Sequence, residues 1–289
     1  MAVYERTYRA YEGAFTPLRT RFLIIPRYAY RHVLRSRFFI AYMILCSFIP
    51  ISAACLIYLR HNVTALNLLQ ITADQVRTAI PIGPIFFRYL MSFQGTLAAL
   101  LALFMGPSLL SPDMANNGLA LYFSRPFSRW EYLFGKFCVL GILLSLVSWV
   151  PLILLFLLQV ALDGKSWLSE NYSIGFAIFT TSALWIVVMT LMTMSASVMI
   201  RRKALAIGAV VAYFFVSWAM SGAINVINQT TWGDIIDVTK ACGRISLNLF
   251  GVELPDDYPI WRAWTTVIVF CLGCVWFLNR KVRAYQVVR

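Results

Sequence analysis

Charge is what this chain has least of: 13% of its 289 residues are Asp, Glu, Lys or Arg, against roughly 25% in an ordinary soluble domain. With 60% of the residues hydrophobic, a water-soluble fold could not cover its surface. The excess apolar surface needs a bilayer as its second solvent. Histidine occurs only as His32 and His61. Both lie outside the long apolar runs, where a membrane haem would need its ligand. No Asp, Glu, Lys, Arg or His stands in the core stretches of those runs, the last taken from Ala263, which argues against a proton relay or a voltage sensor of buried arginines.

Other absences narrow the chemistry. No His, Cys, Asp and Glu stand at metal-ligand spacing. No nucleophile and base, and no acidic metal site, mark the ends of the runs, which argues against a polytopic lipid-modifying enzyme. No G-x-x-x-x-G-K-[ST] loop is present, and Gly135-Lys136 is followed by Phe137 without a glycine-rich lead. The expectation is a non-enzyme with no catalytic residue, metal site or cofactor of its own. No secretory signal opens the chain, because residues 1–37 carry eight scattered arginines rather than a short basic stub. The six cysteines offer no disulfide framework, and the C-x-x-C at Cys271 and Cys274 sits inside an apolar run, where it reads as helix packing.

What is present is a set of six apolar runs, at about 38–59, 90–110, 137–162, 174–200, 204–227 and 261–279. Each is long enough to cross about 30 Å of hydrocarbon as a helix. A barrel would alternate apolar and polar residues instead. The predicted fold is all-α: a polytopic membrane protein with six transmembrane helices, an N-terminal amphipathic interfacial helix and both termini cytoplasmic. Residues 1–37 form a tail and the interfacial helix, and 38–289 a single transmembrane domain.

Orientation follows from the cations. The segments 1–37, 111–136, 201–203 and 280–289 hold 18 Lys and Arg with 4 acidic residues, and the segments 60–89, 163–173 and 228–262 hold 7 with 8. The positive-inside rule puts the first group in the cytosol. The net charge of +13 is therefore topological and faces anionic lipid, not nucleic acid. Arg27, Arg31 and Arg35 recur every four residues, and Pro26 suits a first helical turn. They fit a helix along the inner headgroups, with a plain basic flank as the other reading. Outside, 163–173 reads as a loop, and helix-like stretches at 66–80 and 232–249 read as caps on the outer face. Pro50 and Pro151 predict kinks. Met189, Met192, Met194 and Met199 do not share one helical face and read as packing. Arg201, Arg202 and Lys203 read as an inner turn anchored to headgroups, with contact to a partner as the alternative.

The most informative segment is SPDMANNGLALYFSRPFSRWEYLFGK, 111–136. Ser111, Pro112 and Asp113 read as the start of a short helix. Pro126 stops it near Ser124 and Arg125. Ser128 and Glu131 match a capping box that opens the next helix. Such a projection suits a cytoplasmic partner; a well-capped connecting loop is the alternative.

An acidic residue after the second run, Gly118, the stretch Leu121-Tyr122-Phe123-Ser124-Arg125-Pro126-Phe127-Ser128-Arg129, then Tyr132 and Gly135-Lys136 together carry a likeness to a known family. The chain resembles the permease subunits of ATP-binding-cassette transporters, in the six-helix type-two exporter class. The likeness in layout covers most of the chain; the motif covers about 25 residues. It implies a plasma-membrane permease paired with a second, identical or different permease chain and with cytoplasmic ATPase subunits that hold ATP and magnesium. It implies ATPase coupling through Asp113, Gly118, Arg125, Pro126, Ser128, Tyr132, Gly135 and Lys136. It also implies a substrate path on the second and fifth runs, where Ser92, Gln94, Thr96, Phe104, Phe214, Trp218, Ser221 and Asn225 stand. Their uncharged aromatic and polar character fits an amphiphilic or lipid-like substrate, with helix packing as the other reading. A structural or assembly subunit that keeps a permease-like fold and moves nothing is the competing function.

Overall fold

A computed structural model describes residues 24–62, 81–116, 128–200, 202–254 and 258–282. The expected helix at 66–80, together with Gly118, Arg125, Pro126, Arg201 and the tail 1–20, lies outside them. The described residues form nine α-helices and no strand. They are α1 (Ile24–Val33), α2 (Arg37–His61), α3 (Pro84–Ala115), α4 (Arg129–Val147), α5 (Trp149–Asp163), α6 (Lys165–Met199), α7 (Lys203–Asn228), α8 (Val238–Leu249) and α9 (Ile260–Lys281). Six stretches are long and apolar enough to cross a membrane: α2, α3, α4 with α5, α6, α7 and α9. The chain is a multi-pass helical membrane protein.

A helix is the form these runs must take, because hydrocarbon offers no partner to an open N–H or C=O. Hydroxyls obey the same rule by bonding back to their own helix. Thr96 donates to the Ser92 carbonyl (3.0 Å), Ser145 to Gly141 (2.8 Å) and Ser197 to Thr193.

The bundle is built around α6, which packs against α3, α4, α5, α7, α8 and α9. Its spanning window is 56% buried, against 22% for α7 and 17% for α9, so α6 is the axis and those two are peripheral. Small residues set the closest approach. A Cβ on Gly106 of α3 would lie 2.5 Å from Oγ1 and 2.6 Å from Cβ of Thr193 on α6, so only glycine fits there. Large apolar side chains such as Phe215, Trp218 and Val226 on α7 stay exposed at no cost if lipid covers them.

Several boundaries differ from the sequence reading. The third span is broken at Ser148, whose φ and ψ are both −90°. Pro151 lacks the N–H that would bond to the Val147 carbonyl, so the helix restarts as α5. Residues 163–173 are not a loop: only Gly164, at φ +83°, separates α5 from α6. Glycine takes that left-handed turn without strain. Ser111, Pro112 and Asp113 do not begin a helix, because α3 runs through them to Ala115 with Pro107 and Pro112 inside it. Around 232–249 a short 3-10 turn (Trp232–Ile235) precedes α8. The face of α8 formed by Val238, Ala241, Cys242 and Ile245 is buried with Val188 of α6 and Ala263 and Val267 of α9. Helix α1 carries Arg27 and Arg31, both exposed, but ends at Val33, so Arg35 lies beyond it. Tyr30 ties α1 to α4 by donating to the Cys138 carbonyl at 2.8 Å. All six cysteines are free.

Candidate functional site

At the end of the bundle where α3 stops and α4 begins, Asp113, Tyr132 and Lys136 meet. Tyr132, fully buried, donates its hydroxyl to Asp113 Oδ2 at 2.6 Å. Lys136 Nζ lies 2.9 Å from the same oxygen and donates to the Leu109 carbonyl at 2.7 Å. The ammonium also stands 5.6 Å from the centre of the Tyr132 ring. One carboxylate thus receives a hydroxyl and an ammonium, both from α4 at i and i+4. Charge-assisted bonds of this kind are the strong ones in a low-dielectric setting.

Sequence explains the local register. The capping box predicted for Ser128 and Glu131 is formed: Ser128 N–H donates to Glu131 Oε2 at 2.6 Å, and Glu131 N–H donates to Ser128 Oγ at 3.2 Å. That fixes where α4 starts and therefore which face carries Tyr132 and Lys136. Gly135 is buried on the same helix. Around the pair, Leu110, Leu133, Leu191, Met194 and Leu278 make an apolar collar. Ser111 donates weakly to the Ile200 carbonyl at 3.4 Å, linking this end of α3 to the end of α6.

The eight residues proposed for a path do not form one surface. Ser92 and Thr96 line a cavity between α3, α6 and α8. Gln94 is fully buried on another side of α3 and donates to the Cys46 carbonyl at 3.1 Å. Phe104 is partly exposed and meets Phe38 edge-on, with ring centres 5.8 Å apart. Phe214 packs into the core, and Trp218 points out of the bundle. Ser221 and Asn225 turn their polar atoms to a different task.

That task is to hold Asp234, a carboxylate with 2% exposure that sequence reasoning passed over. Its Oδ1 accepts from Ser221 Oγ at 3.0 Å and Asn225 Nδ2 at 2.8 Å, with Lys240 Nζ 3.4 Å away. Its Oδ2 accepts from Arg244. Oδ1 of the Asn225 side chain accepts from Gly233 N–H at 2.8 Å, and Gln229 at φ +48° turns the chain back after α7. Arg244 then covers the Tyr258 ring at 4.0 Å, and Arg262 of α9 covers Trp232 at 3.9 Å. Burial alone would raise the Asp234 carboxyl, but hydrogen bonds from Ser221 and Asn225 and the charges of Arg244 and Lys240 outweigh it and hold it below the usual carboxylate range. The only sequence signal for this clasp was the mixture of charges in 228–262. A second tie at this end joins His61 of α2 to Asp163 of α5 at 2.6 Å.

Compared with known proteins, the chain matches no family model, and no curated protein matches it.

Proposed function

We propose that the chain is the permease subunit of an ATP-binding-cassette transporter, moving an amphiphilic or lipid-like substrate by alternating access driven by a separate ATPase. The observation that carries the reading is the Asp113–Tyr132–Lys136 cluster. It brackets the segment 117–127, which bears most of the family-like motif, between two helices locked at their ends. A push delivered to the ends of α3 and α4 would move the two helices together, because the cluster ties them. In this reading the end bearing Asp113 faces the cytosol with both termini, as the distribution of cations requires. Helix α1 rests its arginines at the inner headgroups. The Asp234 clasp then closes the outer end. The sparsely buried α7 and α9 are where lipid or a second permease chain would pack.

The test is ATP hydrolysis by the chain purified with its ATPase and reconstituted in liposomes. Amphiphiles of the transported class are expected to change turnover several-fold, while the chain alone hydrolyses no ATP. A complex whose turnover ignores every amphiphile tried would favour the structural-subunit reading.

A further inference from the structure

The cavity between α3, α6 and α8 holds about 200 Å³ and is lined by polar side chains on all three of its walls. Arg88, Ser92 and Thr96 stand one turn apart on α3 and face it together. Thr181 closes it from α6, and Thr239 and Ser246 from α8. Trp185 forms part of the wall with its N–H already given to the Gly95 carbonyl at 2.8 Å. Two donors are left over. Nε of Arg88 and Oγ1 of Thr181 are buried without a hydrogen-bond partner, and Thr181 as a whole is 6% exposed.

Charge sharpens the picture. Among the described residues Arg88 has no ion-pair partner and no carboxylate lines the cavity. The two buried acids before α8 are both engaged: Asp237 caps the helix by accepting from the Thr239 and Lys240 N–H groups, and Asp234 is held by Lys240 and Arg244. The half-buried guanidinium stands 5.9 Å from the centre of the Tyr89 ring, and its Nε is open to a further acceptor. Its planar fork suits a phosphate or carboxylate. The space, about 200 Å³ and open on one side, suits a compact polar headgroup. Acyl chains have a surface beside it, because Tyr89 and Phe93, sequence neighbours of Arg88 and Ser92, are each 59% exposed on α3.

We propose that this cavity binds the acidic headgroup of an anionic amphiphile, with Arg88 and Thr181 as its donors and the acyl chains lying along the exposed side of α3. The inference rests on the proposed function only in naming this ligand class as the transported one.

The test uses the full chain in neutral detergent and three probes: dioctanoyl phosphatidate, dioctanoylglycerol and inorganic phosphate. The phosphatidate is expected to bind about tenfold or more tightly than the neutral lipid, the scale of one charged hydrogen bond. Arg88→Gln is expected to erase that preference. Gly243 supplies a second variant, since it lines the cavity on α8 and a Cβ there meets nothing within 4 Å. Gly243→Leu fills the space without straining the helix and is expected to weaken phosphatidate binding. Equal binding of both lipids by the unsubstituted chain overturns the proposal. Inorganic phosphate binding as tightly as phosphatidate overturns the amphiphile and leaves a free-anion site. Loss of the lipid preference while an ATPase still co-purifies sinks the cavity assignment alone; an intact preference with no ATPase sinks the transport reading alone.

Discussion

Asp234→Ala is expected to cost about 3–5 kcal/mol, the range for removing one member of a buried charge network. The substitution strands Arg244 and Lys240 beside a closed apolar cluster and frees Ser221 and Asn225 together. Thermal unfolding in detergent should show the loss, and limited proteolysis should open the segment 228–260 first. Asp234→Asn should cost less, because an amide keeps the shape and one acceptor while losing the charge. Gly233→Ala should mimic the loss without touching any charge, since a Cβ there would lie 2.5 Å from the Ser221 carbonyl oxygen and 2.7 Å from Asn225 Oδ1. The pH dependence has a definite sign. A carboxyl depressed in the folded state adds stability above its unfolded value of about 3.9 and loses it as pH falls through the lower folded value. The clasp should therefore hold at pH 5 and give way only in stronger acid. Asp234→Ala within about 0.5 kcal/mol of the parent, the range of an ordinary surface change, would remove the clasp from the account.

The second large effect is expected at the opposite end. Lys136→Met and Asp113→Asn each remove one charge from a carboxylate–ammonium–phenol cluster in which Lys136 is 8% exposed. A hydrogen bond to a charged group is worth about 1.5–3 kcal/mol. Losing it should reduce the population of the locked arrangement by about tenfold or more. If that arrangement transmits the ATPase stroke, coupled ATP turnover falls by a similar factor while membrane insertion is retained. Tyr132→Phe removes only the hydroxyl bond and should give a smaller loss. Normal coupled turnover in both charge variants would refute the coupling role, whatever happened to stability.

The spans were legible because a charge-free run of more than about 17 residues has few fates other than crossing a bilayer. Their ends were not, because the helices continue past the apolar stretch. Pro84 opens α3 six residues before the second run, and α6 starts at Lys165 rather than at Ile174. Ser111-Pro112-Asp113 has every local mark of a helix start, yet Leu110 and Ser111 are buried against other helices and keep α3 going. Tertiary packing here outweighs the one backbone bond that Pro112 forgoes. Asp113 drew attention by its place in the motif, but its partner Lys136 stands 23 positions away and only the close approach of α3 and α4 identifies it. Asp234 had no such cue. Its partners at 221, 225, 240 and 244 come from two helices joined by a tight reversal at Gln229, and nothing in a linear reading pairs them. Ser221 and Asn225 were read as lining a path for the same reason: a polar residue on an apolar helix looks alike whether it meets a substrate or a neighbour.

The most direct measurement is affinity purification of the full chain from its native membrane in mild detergent, with the recovered subunits identified and counted by mass spectrometry. The account predicts a cytoplasmic ATPase of the ATP-binding-cassette type in roughly equimolar amount, diminished when Asp113→Asn or Lys136→Met is used as bait. A stable complex of membrane subunits with no such ATPase would contradict it.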